Sequence, residues 1–356
     1  MIWHMIPKKK LEYINITSET PRDYWSTDNY VVFEKENLKL RKFYDLKDLE
    51  GWKKNNAVLI IPPQAGHSSN ICDYAPDQSL VKLFLNYGFE VYATDWQSAR
   101  LDQAHLSIED HINLTDEAVE KVRMDTGFDS IVLVGQCQGG WQASMYTSLF
   151  QDKISKLVVA AAPIDFYAER EFLNDYVDDY PMEFFEWLVK MGGGVMKGEF
   201  ILHGFKSYDP YQHYFKKYQD LWKMILEDDR EGIERYRQFY NWYEYTQDLP
   251  GKFYLEVVEK IFKKNGMVNK GVIEINDTPV DLKNIHCPVF LLAGEKDNIT
   301  PPKQCLEMEK YVSTPKSNIV TMTTKGGHIG TLTGRNALKN YWPRIIEFIE
   351  ELSKTA

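Results

Sequence analysis

The sequence, 356 residues long, predicts an α/β fold in which a mostly parallel β-sheet is covered by helices on both faces. Short apolar runs of β type recur along the chain and alternate with amphipathic helical patterns. Runs that are apolar throughout are typical of strands buried on both faces, and the alternation is typical of parallel strands joined by helical crossovers. The β-type runs lie at 57–61, 90–94, 130–134, 156–162, 288–292 and 318–322, and the helical patterns lie near 77–87, 107–125, 140–150 and 336–352.

A middle section breaks this alternation. Residues 167–254 carry 23 of the chain's 49 aromatic residues in 88 positions. We therefore predict a core in two parts, residues 1–166 and 255–356, with residues 167–254 inserted as an aromatic-rich, mainly helical cap over the site.

Within the predicted cap, Ile233, Tyr236, Tyr240 and Tyr243 fall on one face of a helix. We expect most of the cap aromatics to pack the cap onto the core, although some could line an acyl channel. The triple glycine at 192–194 would break a helix, as a turn or as the hinge of a lid, and we favour the turn.

The net charge of −10, from 42 basic and 52 acidic residues, argues against nucleic acid or an anionic membrane surface as the main partner. The four cysteines form no Cys-x-x-Cys pair, and the first ten residues lack the charge order of a secretory signal, so a reducing cytoplasm is the expected location. No apolar run approaches the roughly 20 residues that cross a bilayer. His105 and His111 have no metal-binding spacing; we expect both at the surface and no metal site.

A cysteine lies where the third of these strands is predicted to turn into a helix. The segment Gly135-Gln-Cys-Gln-Gly-Gly140 follows the run 130–134 and precedes a helical stretch that begins at Trp141. This order is that of a nucleophile elbow with sulfur in place of oxygen. The glycines permit a tight turn, and the helix N-terminus places free N–H groups beside Cys137, which favours the thiolate form. A buried structural cysteine at a Gly-rich strand end is the alternative.

An acid and a histidine follow in the order that such an elbow requires. Asp297 comes after the predicted strand at 288–292, and His328 comes after the predicted strand at 318–322. His328 would take the thiol proton, and Asp297 would hold the imidazole in the correct tautomer. Glu295 is the rival acid. Asp297 could instead cap a turn, and His328 could be a solvated loop residue.

Two backbone N–H groups would form the oxyanion hole. One belongs to Gln138, the residue after the nucleophile, and the other to Gln64 or Ala65 in the loop after the first predicted strand. His67 and Trp141 are the candidate substrate contacts. For His67, a surface turn residue is the alternative.

From about Val58 onward, these segments resemble the polyhydroxyalkanoate synthases and the intracellular polyhydroxyalkanoate depolymerases. Both groups have an α/β-hydrolase core and a catalytic cysteine. Leu133-Val-Gly-Gln-Cys-Gln-Gly-Gly140 is similar to the box of the shorter, two-component synthases, whereas Val91-Tyr-Ala-Thr-Asp-Trp-Gln-Ser-Ala-Arg100 looks more like the depolymerases. An uncharacterised group labelled synthetase-like also shares the Cys-Gln-x-Gly-Trp pattern and Asp297-Asn-Ile-Thr-Pro-Pro302.

Carried over from this resemblance, the nucleophile falls on Cys137, the acid on Asp297 and the base on His328. Two departures matter. The synthases usually have His directly after the acid, where this chain has Asn298, and the depolymerases usually lack the Gly-Gly pair that is present at 139–140.

The resemblance implies cysteine-dependent acyl transfer through a covalent acyl-enzyme. We expect a synthase-like transferase that acts on 3-hydroxyacyl-coenzyme A; a depolymerase-like ester hydrolase and an inactive granule-associated or scaffold protein are the alternatives. No cofactor is expected apart from the coenzyme A of the substrate. A partner subunit or a homodimer, and a place at polyester granules in the cytoplasm, would fit such an enzyme.

Overall fold

The computed structural model describes residues 2–44 and 56–351, with eight strands in its main sheet. The strand order is β1-β2-β4-β3-β5-β6-β7-β8, which leaves β1 and β8 at the edges. Strand β2 runs antiparallel to both of its neighbours, and all other pairs are parallel. The strands are β1 Asn29–Lys35, β2 Leu38–Phe43, β3 Ala57–Ile61, β4 Glu90–Trp96, β5 Ile131–Gln136, β6 Ile154–Ala160, β7 Val289–Gly294 and β8 Ile319–Thr324.

Helices connect the strands and fill the long segment between β6 and β7. They are α1 Ile2–Thr17, α2 Leu80–Asn86, α3 Ile108–Thr126, α4 Gln138–Leu149, α5 Phe172–Asp179, α6 Met182–Met191, α7 Gly198–Tyr208, α8 Lys217–Glu227, α9 Arg230–Glu244, α10 Gly251–Glu256, α11 Pro302–Leu306, α12 His328–Thr333, α13 Arg335–Asn340 and α14 Trp342–Glu351. The described residues also form two π-helical segments, Gln212–Lys216 and Val257–Lys263, six short 3-10 helices and three pairs of very short strands; those strands are Asp73–Ala75, Gln78–Ser79, Val195–Met196, Leu249–Pro250, Glu274–Ile275 and Thr278–Pro279.

The predicted α/β architecture is confirmed, and all six predicted β-type runs are strands, β3 to β8. The hairpin of β1 and β2, whose strands mix apolar and charged residues, was not predicted. The two strands are joined at Glu36 and Asn37, and Glu36 has a positive φ of 53°. Their half-exposed pattern is weaker than that of the fully buried strands, which explains why they escaped notice.

The sheet separates two hydrophobic clusters because successive side chains of a strand point to opposite faces. Strand β3 contributes Leu59 and Ile61 to the cluster that α3 and α4 cover. Its Val58 and Ile60 belong to the cluster that α2 and α14 cover. Helices therefore pack on both faces, as the uninterrupted apolar strands predict.

The long segment between β6 and β7 contains helices α5 to α10. In α9, the predicted apolar face has Ile233 and Tyr243 buried, whereas Tyr236 and Tyr240 are partly exposed. The triple glycine follows α6, and two of its members have positive φ, 75° at Gly193 and 109° at Gly194. These glycines therefore form a turn.

The expectation that both His105 and His111 lie at the surface is wrong for His111. His105 is exposed as predicted, but His111 is buried in α3, where its ring lies 4.6 Å from the ring of Trp96 and 4.0 Å from that of Phe253. Its Nδ1–H donates to the carbonyl oxygen of Ser107 at 2.8 Å, and burial lowers its pKa to about 4, so the ring is neutral at physiological pH. The apolar face of α3 overrides the polar local sequence.

Among the helices of residues 2–44 and 56–351, none is both long enough and apolar enough to cross a bilayer.

Candidate active site

Cys137 lies between the end of β5 and the start of α4. Its backbone has a φ of 52° and a ψ of −119°, a conformation that non-glycine residues rarely adopt and that costs about 1–3 kcal/mol. Two backbone hydrogen bonds hold this conformation. The N–H of Cys137 donates to the carbonyl oxygen of Ala160, and the N–H of Gly140 donates to the carbonyl oxygen of Cys137, both at 2.8 Å. The surrounding structure thus fixes a strained turn that presents the sulfur, which is the geometry of a nucleophile elbow.

The glycines around Cys137 permit close approach between backbones. A Cβ on Gly139 would lie 2.0 Å from the carbonyl oxygen of Ile61, and a Cβ on Gly135 would lie 2.4 Å from that of Gly139. A Cβ on Gly140 would lie 2.4 Å from the Cβ of Ala162. The helix that follows the cysteine is therefore pressed against the ends of the central strands, where only glycine fits.

We expect Gly139→Ala to destabilise the fold, because the added Cβ meets a backbone oxygen that cannot move aside. Overpacking of this kind costs about 1–3 kcal/mol. Gly204→Ala is the control, since a Cβ there has nothing within 4 Å, and alanine is the better helix former. Urea unfolding of the three proteins measures the effect. Equal stability of Gly139→Ala and the native chain would contradict the close approach.

Asp297 and His328 meet after the ends of β7 and β8. The Nδ1 of His328 lies 2.7 Å from Oδ2 of Asp297, and both side chains are almost completely buried. Because a carboxylate accepts, Nδ1 carries the hydrogen and the other ring nitrogen is left for a reacting group. Glu295, the rival acid, is exposed, and its nearest described partner is the hydroxyl of Thr323 at 3.5 Å. The geometry thus places Asp297 against the imidazole.

Thr300, which was not predicted as a site residue, supports this pair. The backbone N–H groups of Ile299 and Thr300 donate to Oδ1 of Asp297 at 3.0 and 2.9 Å. The Thr300 hydroxyl lies 3.0 Å from Oδ2 of Asp297 and 3.1 Å from Nδ1 of His328. The available signal was a threonine three residues after an aspartate in a loop, a common turn pattern.

The histidine is electrostatically coupled to the cysteine. Burial alone would lower the pKa of His328, but the charges of Asp297 and of Cys137 outweigh burial and raise the pKa well above its ordinary value of 6.5. Cys137 and His328 also line the same cavity. Cys137, Asp297 and His328 are therefore brought together, as the sequence order predicts.

The candidate donors of the oxyanion hole lie near Cys137, but the N–H of Gln64 already has a hydrogen-bond partner. The N–H of Gln64 donates to the side-chain oxygen of Gln138 at 2.6 Å. The N–H of Gln138 itself belongs to the first turn of α4, where no intrahelical acceptor exists. Ala65 lines the cavities on both sides of Cys137. Gln138 and Ala65 therefore remain the candidate donors.

Two cavities meet at Cys137. One, of about 150 Å³, is lined almost entirely by apolar side chains from the core and from the segment between β6 and β7, including Trp141, Met196, Phe200 and Phe253. The second, of about 280 Å³, is also mostly apolar, but its lining includes His67, His213, Asn298 and His328. The nucleophile thus has access to two adjoining spaces, of which the second carries more polar side chains.

Both candidate substrate contacts line these cavities. His67 is buried, and burial lowers its pKa to about 4; its Nδ1–H donates to the carbonyl oxygen of Ala65 at 3.3 Å, and its ring stacks on Trp242. It is not a surface turn residue. Trp141 lines the apolar cavity and is only 1% exposed.

Residues 29–332 match the family described as "Protein of unknown function (DUF3141)". The chain belongs to this DUF3141 family.

The DUF3141 chain also has relatives with assigned activities. It is 27% identical, over 331 residues, to the poly(3-hydroxyalkanoate) polymerase subunit PhaC of Haloferax mediterranei, with 92% of this chain and 65% of that protein covered. It is 28% identical over 280 residues to the PhaC subunit of Allochromatium vinosum, with 78% and 76% covered. The resemblance to polyhydroxyalkanoate synthases is confirmed. The chain spans less than two thirds of the Haloferax protein.

Solved structures show the fold of the DUF3141 chain. An epoxide hydrolase of Bacillus megaterium superposes with a TM-score of 0.52 at 13% identity and covers 91% of this chain and 100% of its own. A monoacylglycerol lipase of Paleococcus ferrophilus superposes with a TM-score of 0.52 at 18% identity, covering 88% and 98%. The predicted α/β-hydrolase fold is confirmed.

Proposed function

We propose that this protein is a cysteine-dependent acyltransferase that forms polyesters from 3-hydroxyacyl thioesters, as a polyhydroxyalkanoate synthase does. The observation that carries the proposal is that two cavities meet at Cys137, which also lies beside a buried imidazole–carboxylate pair. A transferase must hold an acyl group and a second substrate at one nucleophile. The similarity to the PhaC subunits supplies the acyl class.

In the first half-reaction, the sulfur of Cys137 attacks the thioester carbonyl carbon, and His328 takes the thiol proton. The carbonyl oxygen becomes an oxyanion, which the N–H groups of Gln138 and Ala65 stabilise. The intermediate then collapses: the carbon–sulfur bond to the donor breaks, and His328 returns the proton to the departing thiolate. Asp297 keeps the imidazole oriented throughout.

In the second half-reaction, the hydroxyl of another hydroxyacyl unit attacks the acyl-enzyme. His328 takes the hydroxyl proton, the new ester bond forms, and the bond to Cys137 breaks. The proton then goes back to the sulfur. Water in place of that hydroxyl would make the same site a hydrolase, so the outcome depends on how well water is excluded.

The cavities favour transfer over hydrolysis. The apolar cavity is walled by side chains such as Phe172, Tyr176 and Phe205, which suit an acyl chain and offer water few hydrogen-bond partners. The second cavity carries His328 and Asn298 and suits the incoming hydroxyl. The same proposal includes three further elements: coenzyme A as the leaving group, a partner subunit or a second copy of the chain, and a location at cytoplasmic polyester granules.

The test offers the purified protein 3-hydroxybutyryl-coenzyme A and, separately, short 3-hydroxybutyrate oligomers. Free thiol, polymer and free acid are followed, and the mass of the peptide that contains Cys137 reports acylation. We expect thiol release, a hydroxybutyryl adduct on Cys137 and polymer. Free acid from oligomers with the thioester untouched would overturn the proposal in favour of a depolymerase-like hydrolase, and a chain that no thioester acylates would overturn it in favour of the scaffold alternative.

A further inference from the structure

A segment that precedes the main sheet connects helices α8 and α9 with the core. This segment, residues 7–28, is called the arm. Its helical part lies in α1, which packs on α8, and the rest of the arm runs irregularly towards β1. The two ends of the arm are held by contacts of different chemistry.

At α8 and α9, the contacts of the arm are largely ionic. Among the described side chains, three ion pairs join the arm to these helices and to the turn between them: Lys9 with Asp228, Glu12 with Arg230, and Glu19 with Arg237. At least one side chain of each pair is exposed, and exposed ion pairs are individually weak and are screened by salt. The ring of Tyr13, 5.7 Å from that of Trp222, adds a small apolar contact. This end of the arm is therefore sensitive to ionic strength.

At the core, the contacts of the arm converge on a buried carboxylate. Asp73 accepts hydrogen bonds from the hydroxyls of Ser26 and Thr27 at 2.9 and 2.7 Å and from the N–H of Thr27 at 2.9 Å. The hydroxyl of Ser68 also donates to Asp23 of the arm at 2.7 Å. Hydrogen bonds to an ionised acceptor are the stronger kind, and burial protects them from screening by salt. The core end of the arm is therefore the more firmly held.

Between its two ends, the arm crosses the boundary of the second cavity. The N–H of Arg22 donates to the side-chain oxygen of Asn241 at 2.8 Å, and the Asn241 amide donates back to the carbonyl oxygen of Arg22 at 2.9 Å. Asn241 lies in α9 beside Trp242 and Tyr243, which line the second cavity, and the loop that the arm contacts at the core contributes Ile71 to the same lining. The arm is thus fastened to two elements that wall the cavity containing Cys137 and His328.

We infer that the arm is a salt-sensitive strap that limits the width of the second cavity. While the ion pairs hold, α9 stays against the loop at 68–71, and only small ligands reach Cys137 through this cavity. Release of the ionic end lets α9 move outward, while the core end keeps the arm attached and ready to close again. The strap controls access to the sulfur and therefore operates whether or not the chain transfers acyl groups.

The test compares two reagents that alkylate Cys137, small iodoacetamide and bulky fluorescein maleimide, with the mass of the peptide that contains Cys137 as the readout. In the full chain with Arg230→Gln and Arg237→Gln, we expect the maleimide to react about fivefold faster than in the native chain, because two of the three ion pairs are lost. The rate with iodoacetamide should not change. Sodium chloride at ~1 M should accelerate the maleimide in the native chain and add little in the double variant.

Arg235→Gln is the matched control, since its ion pair with Glu231 lies within α9 and does not involve the arm. This variant should behave as the native chain does. The buried thiols of Cys72, Cys287 and Cys305 report general loosening and should stay unlabelled by the maleimide throughout. Equal acceleration of both reagents, no acceleration of the maleimide in the double variant, or labelling of the three buried thiols would overturn the strap.

Discussion

Cys137→Ala will abolish acyl transfer, lowering turnover by about 10⁴-fold or more, as expected for loss of a covalent nucleophile. The fold should survive, because Cys137 is only partly buried and the loss of one sulfur atom leaves little cavity. Thiol release from 3-hydroxybutyryl-coenzyme A measures the loss, and urea unfolding measures the fold. Unchanged turnover would remove the central claim of the proposed function.

A second measurement of this variant needs no substrate. All four cysteines are free thiols, and burial raises the pKa of Cys72, of Cys287 to about 11 and of Cys305 to about 12. Iodoacetamide should therefore label one thiol quickly in the native chain and none in Cys137→Ala. Cys137→Ser should also lose most activity, since a hydroxyl is far less acidic than a thiol and the site is arranged around sulfur.

Asp297→Asn will impair acyl transfer by about 10³-fold with the fold retained, because the amide favours the wrong tautomer of His328. His328→Ala should be nearly as damaging as loss of the sulfur. Glu295→Gln is the control, since this carboxylate is exposed and does not contact the imidazole. Should Glu295→Gln be damaging and Asp297→Asn silent, the acid has been assigned to the wrong residue.

The same variant should change how stability depends on pH. A histidine whose pKa is raised by folding stabilises the folded state below its unfolded pKa, and this contribution is lost as the pH rises through the folded value. Asp297 supplies the largest effect that raises the pKa of His328. The stability difference between Asp297→Asn and the native chain should therefore be greatest at about pH 5 to 6.5 and should shrink at higher pH. Urea unfolding from about pH 5 to pH values well above 6.5 measures the decrease; a difference that grew with pH would contradict the assigned cause.

Local sequence patterns predict most of the main sheet and the candidate catalytic residues. Cys137 and Asp297 each follow a buried, largely apolar strand, and His328 follows the less apolar strand β8, so the order of the three residues predicts that they meet. The glycines at 135, 139 and 140 predict the close packing of the elbow, although not the positive φ that falls on Cys137 itself.

Three features that the sequence does not predict depend on contacts between distant segments. The burial of His111 arises from packing between Trp96 and Phe253, which come from distant segments. The engagement of the Gln64 N–H by Gln138 joins residues 74 positions apart, and no local pattern encodes it. The sequence predicts a cap whose aromatic residues could line an acyl channel, but not two cavities that meet at Cys137, because their walls combine side chains from the carboxyl ends of the strands and from the helices between β6 and β7.

The candidate catalytic residues lie at different positions in the sheet, one after an inner strand and one after an edge strand. Cys137 follows β5, which has paired neighbours on both sides, whereas His328 follows β8, an edge strand whose residues are mostly only partly buried. Strands with one neighbour and greater exposure open most readily in hydrogen exchange. Local opening of β8 would move the imidazole of His328 away while the turn at Cys137 stayed folded. The thiol of Cys137 would then still react with alkylating reagents but would have no proton acceptor.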